Sequence, residues 1–387
     1  MAAKLIYLDN HASTACAPMV IDAMLPYFSE SYANPSSSFH QAGRMAAEAV
    51  DRSREAIAAS LGVSESEIVF TSGATESNNL AILGVCTHAL ATRRRIVTSV
   101  IEHKSVLESC RHLATTGFNV TVLPVDKNGL VDTERLKEVL TDDTLLVSIQ
   151  AANNEIGTIQ SVEAIGAITR SRGVLFHCDA AQAFGRIPLD LSRLEVDMVS
   201  VSAHKICGPK GIGALYLRGG VRSQPIAPIV FGGGQEQGLR SGTLNVPGII
   251  GFAAAARLAT ESFLESGKRM AGMRDLFEKL LIESFPETRR NGYLGNRLPG
   301  NASLTFPGID AEMLLANIPE VAMSKGSACI GDGTAPSHVL LAIGLSREDA
   351  SSTVRVGIGG NTTEAEIRSA AAMVVGALRR LRALTRT

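Results

Sequence analysis

At 387 residues, 45% hydrophobic and 19% charged, the chain is long enough for two domains and a large buried core. A net charge of −1 gives no electrostatic reason to expect direct nucleic-acid or membrane binding. The start MAAKLIYLDN lacks a secretion signal's apolar run, and no apolar stretch approaches the roughly 20 residues of a membrane span, so a cytoplasmic enzyme is expected.

In chain order, residues 5–8 read as a short edge strand ending in Asp9-Asn10. Residues 29–38 form a polar loop around Asn34-Pro35. From 40 to 61 the spacing of Met45, Ala46, Ala49, Val50, Ile57 and Leu61 predicts a helix that breaks at Gly62. Residues 68–70 predict a strand, which stops at Ser72-Gly73-Ala74-Thr75, the opening of another helix. Strands over 96–100, 120–125, 145–152, 174–178, 198–202 and 214–217 then alternate with helices over 105–115, 132–140 and 162–170. Several of these strands are apolar almost throughout, which predicts a mainly parallel sheet covered on both faces.

Beyond Val246 the texture changes to long helices over 249–264 and 267–285. Shorter mixed elements follow, and a last helix over 363–384 opens on a capping-box-like Thr363-Glu364-Ala365-Glu366. The expected fold is α/β: a large domain over 15–260, and a smaller α+β domain made of 1–14 and 261–387.

Ligands of parallel sheets bind at the carboxyl ends of the strands. Those ends carry the Ser72–Thr75 turn, which suits an anion. They also carry Glu102-His103, Asn153-Asn154-Glu155, Asp179 with Gln182, and Ser202-Ala203-His204-Lys205. A lysine held at a rigid strand end can form a Schiff base with an aldehyde cofactor. Asp179, following a buried apolar strand, needs a cationic partner such as a protonated pyridine nitrogen. Thr75, Ser202 and His204 suit a phosphate, His103 a ring face, and Asn154 and Gln182 a ring oxygen. Taken together these groups are what pyridoxal phosphate (PLP) requires.

The six cysteines show no C-x-x-C pair and no metal-finger spacing, so no metal is expected. Cys329 differs from the others because Gly326, Gly331 and Gly333 surround it, the setting of a reactive thiol on a loop. Arg355 lies inside an apolar strand and needs an anion, either a substrate carboxylate or a structural acid. Asn34 is a second candidate for that carboxylate. The glycine-rich stretch 231–243 reads as a loop able to reach a neighbouring subunit's phosphate, or as a plain surface loop.

The motifs YLDNHAST, YANPSS, FTSGATESNNLAI, IEHKSVL, NNEIGTIQ, HCDAAQAFG, SAHKICGPKGIGALY, GGGQEQGLRSGTL, SKGSAC and PSHVL run in order from residue 7 to 340. In this the chain resembles the cysteine desulfurases of the NifS/IscS type, a branch of the class V aminotransferase fold among fold type I PLP enzymes. The resemblance implies Lys205 as Schiff-base lysine, Cys329 as persulfide-forming cysteine and His103 as ring-stacking histidine. It implies Asp179, Gln182 and Asn154 as ring contacts, and Ala74, Thr75, Ser202 and His204 as the phosphate site. Thr243 would serve a partner's phosphate in a homodimer, and Asn34 with Arg355 would clamp the substrate carboxylate. L-cysteine would become L-alanine, its sulfur passing through Cys329 to an acceptor protein for iron–sulfur assembly, tRNA thiolation or DNA phosphorothioation.

The chain departs from the family's usual pattern at Ile330-Gly331-Asp332-Gly333 and at Arg355-Val356-Gly357-Ile358-Gly359-Gly360. Both departures bear on the sulfur acceptor. A selenocysteine lyase or C–S β-lyase of the same fold would not need Cys329. A catalytically silent scaffold would not need Lys205.

Overall fold

Strand register and helix caps explain how the chain brings distant polar residues to one edge. The computed structural model describes residues 5–88, 93–326 and 336–385. After β1 (Ile6–Tyr7) come β2 (Ile68–Thr71), β3 (Arg95–Ser99), β4 (Asn119–Leu123) and β5 (Thr144–Ser148). Then follow β6 (Leu175–Asp179), β7 (Met198–Ser202) and β8 (Gly213–Leu217). The strands β2 to β8 form a seven-stranded sheet in the order β2-β8-β7-β6-β5-β3-β4. Only β8 runs against its neighbours, so β2, β3, β5, β6 and β7 all end at the same edge.

Both faces of this sheet are buried. Along β8, Ala214 and Tyr216 join one apolar cluster, while Leu215 and Leu217 join another. In β7, Val199 and Val201 face the first cluster and Met198 the second. This period-two alternation between two covered faces is what makes the strands read as continuous apolar runs.

The helices follow their caps. Helix Gln41–Leu61 buries Ala46, Ala49, Val50, Ile57 and Leu61 and ends at Gly62, whose φ of 73° suits glycine. Met45, expected on the same face, is instead 52% exposed. Asp132 caps Thr133–Val139 through bonds from the Glu134 and Arg135 amides. The predicted strand 145–152 leaves its ladder at Ser148. Its Ile149 and Ala151 amides still donate to the carbonyls of His177 and Asp179.

The two long helices are Val246–Glu261 and Phe263–Ser284, meeting at Ser262. The first packs Ile249, Phe252, Ala255 and Ala256 into the large sheet's core. The second contributes Phe277 and Leu281 to a separate core. That core is built on β9 (Arg289–Arg290), β10 (Asn301–Thr305), β11 (Val321–Ala322), β12 (Ser324–Lys325) and β13 (Thr353–Gly357). Of these, β12, β13, β10 and β9 form an antiparallel sheet, and helix Glu364–Thr385 packs Ile367, Ala370 and Val374 against it. The Thr363 hydroxyl and the Glu366 carboxylate exchange bonds with each other's amides, as a capping box requires.

The amino-terminal strand β1 pairs in parallel with β11, and Asp9 bridges Gly357 of β13. Residues 9–14 therefore cross from the second core to the edge of the large sheet. Among the described residues, no helix is long and apolar enough to cross a membrane.

Candidate active site

A cavity of about 580 Å³ opens at the carboxyl edge of the large sheet. Its wall contains Ala74, Thr75, His103, Asn154, Asp179, Gln182, Ser202, His204 and Lys205, all expected from the sequence. Arg355 reaches the same cavity from β13. One topological fact explains the convergence: parallel strands that end together present the residues that follow them together.

Lys205 closes a 3-10 turn directly after β7. Its Nζ donates to the carbonyls of His11 at 2.6 Å and Ala12 at 2.9 Å. Neighbouring His204 meets Ser13 Oγ at 3.2 Å. Burial, helped by the charges of Lys205, Lys210 and Arg186, pushes its imidazole down to about 4, so it is neutral at pH 7. The turn before helix Ala74–His88 rests on Gly73, whose φ of 149° a side chain rarely adopts. Gly213 is also required there, since a Cβ on it would lie 2.7 Å from Gly73 Cα. The first amides of that helix have no intrahelical acceptor and form an anion cradle.

Asp179 ends β6, with Oδ2 accepting from Asn78 Nδ2 at 2.7 Å and Oδ1 from the Ala181 amide at 2.9 Å. Asn78 also donates to Ser105 Oγ at 2.8 Å, and Ser105 Oγ lies 2.8 Å from His103 Nδ1. The Ser105 amide donates to that same nitrogen. Nδ1 is therefore the acceptor, and the neutral ring keeps its proton on Nε2. Burial holds His103 below the ordinary imidazole value, with Asp179 pulling the other way.

Arg355 is only 2% exposed and has a structural acid as its partner. Its Nη2 donates to Asp9 Oδ1 at 2.8 Å, yet the residue still lines the cavity. Two expected residues lie elsewhere. Asn34 is exposed and absent from the cavity wall, its Oδ1 taken by the Ser36 amide at 2.9 Å in a local turn. Thr243 is also exposed and absent from the wall. Their neighbours Pro35, Ser36, Gln235, Gln237 and Leu244 line one separate surface depression. The glycine-rich stretch is anchored to the large domain at two points. Glu236 accepts from Arg54 at 2.7 and 2.8 Å, and Arg240 holds Glu76 at 2.7 Å. Cys329 lies outside the described residues.

Sequence reasoning assigned no role to His11, Asn78, Glu102, Glu155 or Arg186. Glu102 is wholly buried on the cavity wall, accepting from Ser99 Oγ at 2.5 Å, and burial pushes its carboxyl up to about 8. Glu155 accepts from Ser337 Oγ and is likewise raised by burial. Both stand beside residues that were singled out, in Glu102-His103 and Asn154-Glu155. An acid directly after an apolar strand was the available signal. The donor set fits PLP: an amine, a buried carboxylate, neutral imidazoles and an anion cradle around a void of ligand size.

Comparison with known proteins agrees with this geometry. Residues 6–369 match the family described as Aminotransferase class-V. A protein named Cysteine desulfurase IscS from Anaeromyxobacter sp. (strain Fw109-5) is 46% identical over 98% of this chain and 94% of its own length. A solved structure described as a NIFS-like protein superposes with a TM-score of 0.91 at 40% identity, covering 97% of this chain and 100% of that one. Another, described as SspA in complex with cysteine, gives 0.81 at 39% identity, covering 92% and 99%.

Proposed function

The chain belongs to the class-V aminotransferase family and is one of its cysteine desulfurases, and from that premise we propose how its own residues perform the reaction. L-cysteine is the substrate, PLP the cofactor, L-alanine one product, and a persulfide on Cys329 the carrier of the sulfur. The observation that carries this reading is the single cavity shared by Lys205, Asp179, His103, the Ser72–Thr75 turn and Arg355.

When bound, PLP supplies an electron sink that makes the substrate's carbon skeleton able to release sulfur. Lys205 would hold the cofactor covalently and, once released, move a proton at the substrate's Cα. Asp179, fastened by Asn78 and the Ala181 amide, would face the pyridine nitrogen as a fixed carboxylate. Ala74, Thr75, Ser202 and neutral His204 would hold the phosphate, and Gln182 and Asn154 the ring oxygen. His103 would stack on the ring and present its Nε2 proton. Arg355, oriented by Asp9, would bind the substrate carboxylate. Cys329 would accept the sulfur, forming an S–S bond as the substrate's C–S bond breaks, and pass it to an acceptor protein.

We read 15–260 as the PLP-binding domain, with 1–14 and 261–387 as the domain carrying Cys329. The chain is proposed to act in the cytoplasm as a homodimer. Tyr32 is 75%, Phe39 100% and Phe231 82% exposed, on the stretches that carry Asn34 and Thr243. Pairing two copies would cover such residues and give these two polar groups a neighbour's site to serve.

The decisive experiment measures sulfide and L-alanine from L-cysteine in the presence of a reductant. Cys329→Ser should keep the absorbance of the bound cofactor and release no sulfide. Sulfide release at the native rate in that variant would overturn the persulfide step.

A further inference from the structure

We propose that His11 determines substrate specificity here, its Nε2–H acting beside Arg355 as the second donor to the substrate's carboxylate. The inference rests on the desulfurase reading above. The His11 carbonyl accepts from Lys205 Nζ at 2.6 Å and from Gln182 Nε2 at 3.0 Å. Its Nδ1 lies 2.7 Å from Arg186 Nη1, a group that can only donate. Gln182 Oε1, which can only accept, lies 3.0 Å from the same Nδ1, but it accepts from Arg186 at 2.7 Å; the shorter, charged contact makes Nδ1 an acceptor, and the ring proton belongs to Nε2. Burial, followed by the charge of Arg186, holds the imidazole well below its ordinary value, so the ring is neutral.

Nε2 is buried and has no hydrogen-bond partner among the described residues. His11 lines the cavity, as it also lines a second one with Arg186 and Lys205, and the residue is 2% exposed. Arg186, Lys205 and Arg355 all act on it electrostatically. Of these, Arg355 has a carboxylate partner in Asp9, whereas Arg186 is bound to carbonyls, Gln182 and His11 itself. A neutral donor set among three cations is complementary to an anion, and an amino acid brings one in its carboxylate. Asn34, the other residue expected to share this carboxylate with Arg355, is not in the cavity of its own chain.

The test compares L-alanine with ethylamine, which lacks only the carboxylate, as ligands of the holoenzyme in calorimetric titration. His11→Leu keeps volume without a donor, and His11→Gln keeps an N–H. We expect His11→Leu to bind L-alanine about tenfold more weakly and ethylamine unchanged, with His11→Gln recovering most of the loss. The KM for L-cysteine should rise in parallel while kcat holds. Unchanged L-alanine binding in His11→Leu would overturn the proposal. Equal weakening of both ligands would also overturn it, because the residue would then act only by supporting Lys205. The Cys329→Ser sulfide assay stays independent. A chain that prefers L-alanine over ethylamine through His11, yet makes no sulfide, would keep the carboxylate site and lose the desulfurase reading.

Discussion

The floor of the cavity and its far wall are built in different ways. The floor is the carboxyl edge of one sheet, where Asp179, Ser202 and Lys205 sit at or just past strand ends. The wall comes from residues 11–13 and from Arg355, far apart in the chain and joined through the Asp9–Arg355 ion pair. Floor groups are neighbours because parallel strands share a register. Wall groups are neighbours because one buried ion pair and one bridge, Asp9 to Gly357, tie the amino terminus to β13. The geometry of the floor should therefore tolerate loss of any one supporting hydrogen bond, whereas that of the wall should not.

The largest expected effect belongs to Lys205. Lys205→Ala should abolish covalent cofactor attachment and lower sulfide production by roughly 10³-fold or more, read from absorbance and sulfide assays. Substantial turnover would overturn its place at the centre of the floor. Next comes the wall. Asp9→Ala leaves Arg355, 2% exposed, without its carboxylate. A loss of roughly 3–5 kcal/mol in denaturant unfolding, with a raised KM for L-cysteine, is expected for a buried pair broken on one side. A loss below about 1 kcal/mol would mean the wall is no more fragile than the floor.

Glu102 probes the floor through pH. Its carboxyl titrates near 8 in the folded chain, against an ordinary value of 4.5. Between these values the folded state holds a proton that the unfolded state has lost. The stabilising contribution is thus present below the ordinary value and is lost as pH rises toward 8. Its slope approaches about 1.4 kcal/mol per pH unit. Glu102→Gln should flatten the decline in stability between pH 5 and 8, about the range these two values bracket. An unchanged slope would show that the group ionises freely. The smallest effect is expected for Asn78→Ala, which removes one donor from Asp179 while the Ala181 amide remains. Cofactor affinity should fall by about tenfold, measured by fluorescence titration. A loss as large as that for Lys205→Ala would contradict a redundantly held floor.

This contrast also marks what could be read beforehand. Asp179, His103, His204 and Lys205 were legible because each follows an apolar run that could only be a buried strand. The rule about strand ends then placed them together. Glu102 and Glu155 were visible in the same positions but stayed unassigned, since their importance comes from burial. Met45 fitted the helical spacing yet faces outward. Asn34 fitted a family motif yet sits in a surface turn closed by its own neighbour.

The amino-acid sequence by itself determined the alternation of strands and helices, the family, and the chemistry at the sheet edge. All of these follow from local periodicity and short motifs. Tertiary structure alone decided that Asp9 orients Arg355 and that Arg186 turns His11's proton to Nε2. It also decided that Asn78 and Ser105 link Asp179 to His103. The reason is physical: a hydrogen bond needs two groups within about 3 Å at a set angle. Residues such as Asp9 and Arg355, 346 positions apart, meet that condition only once both cores are packed.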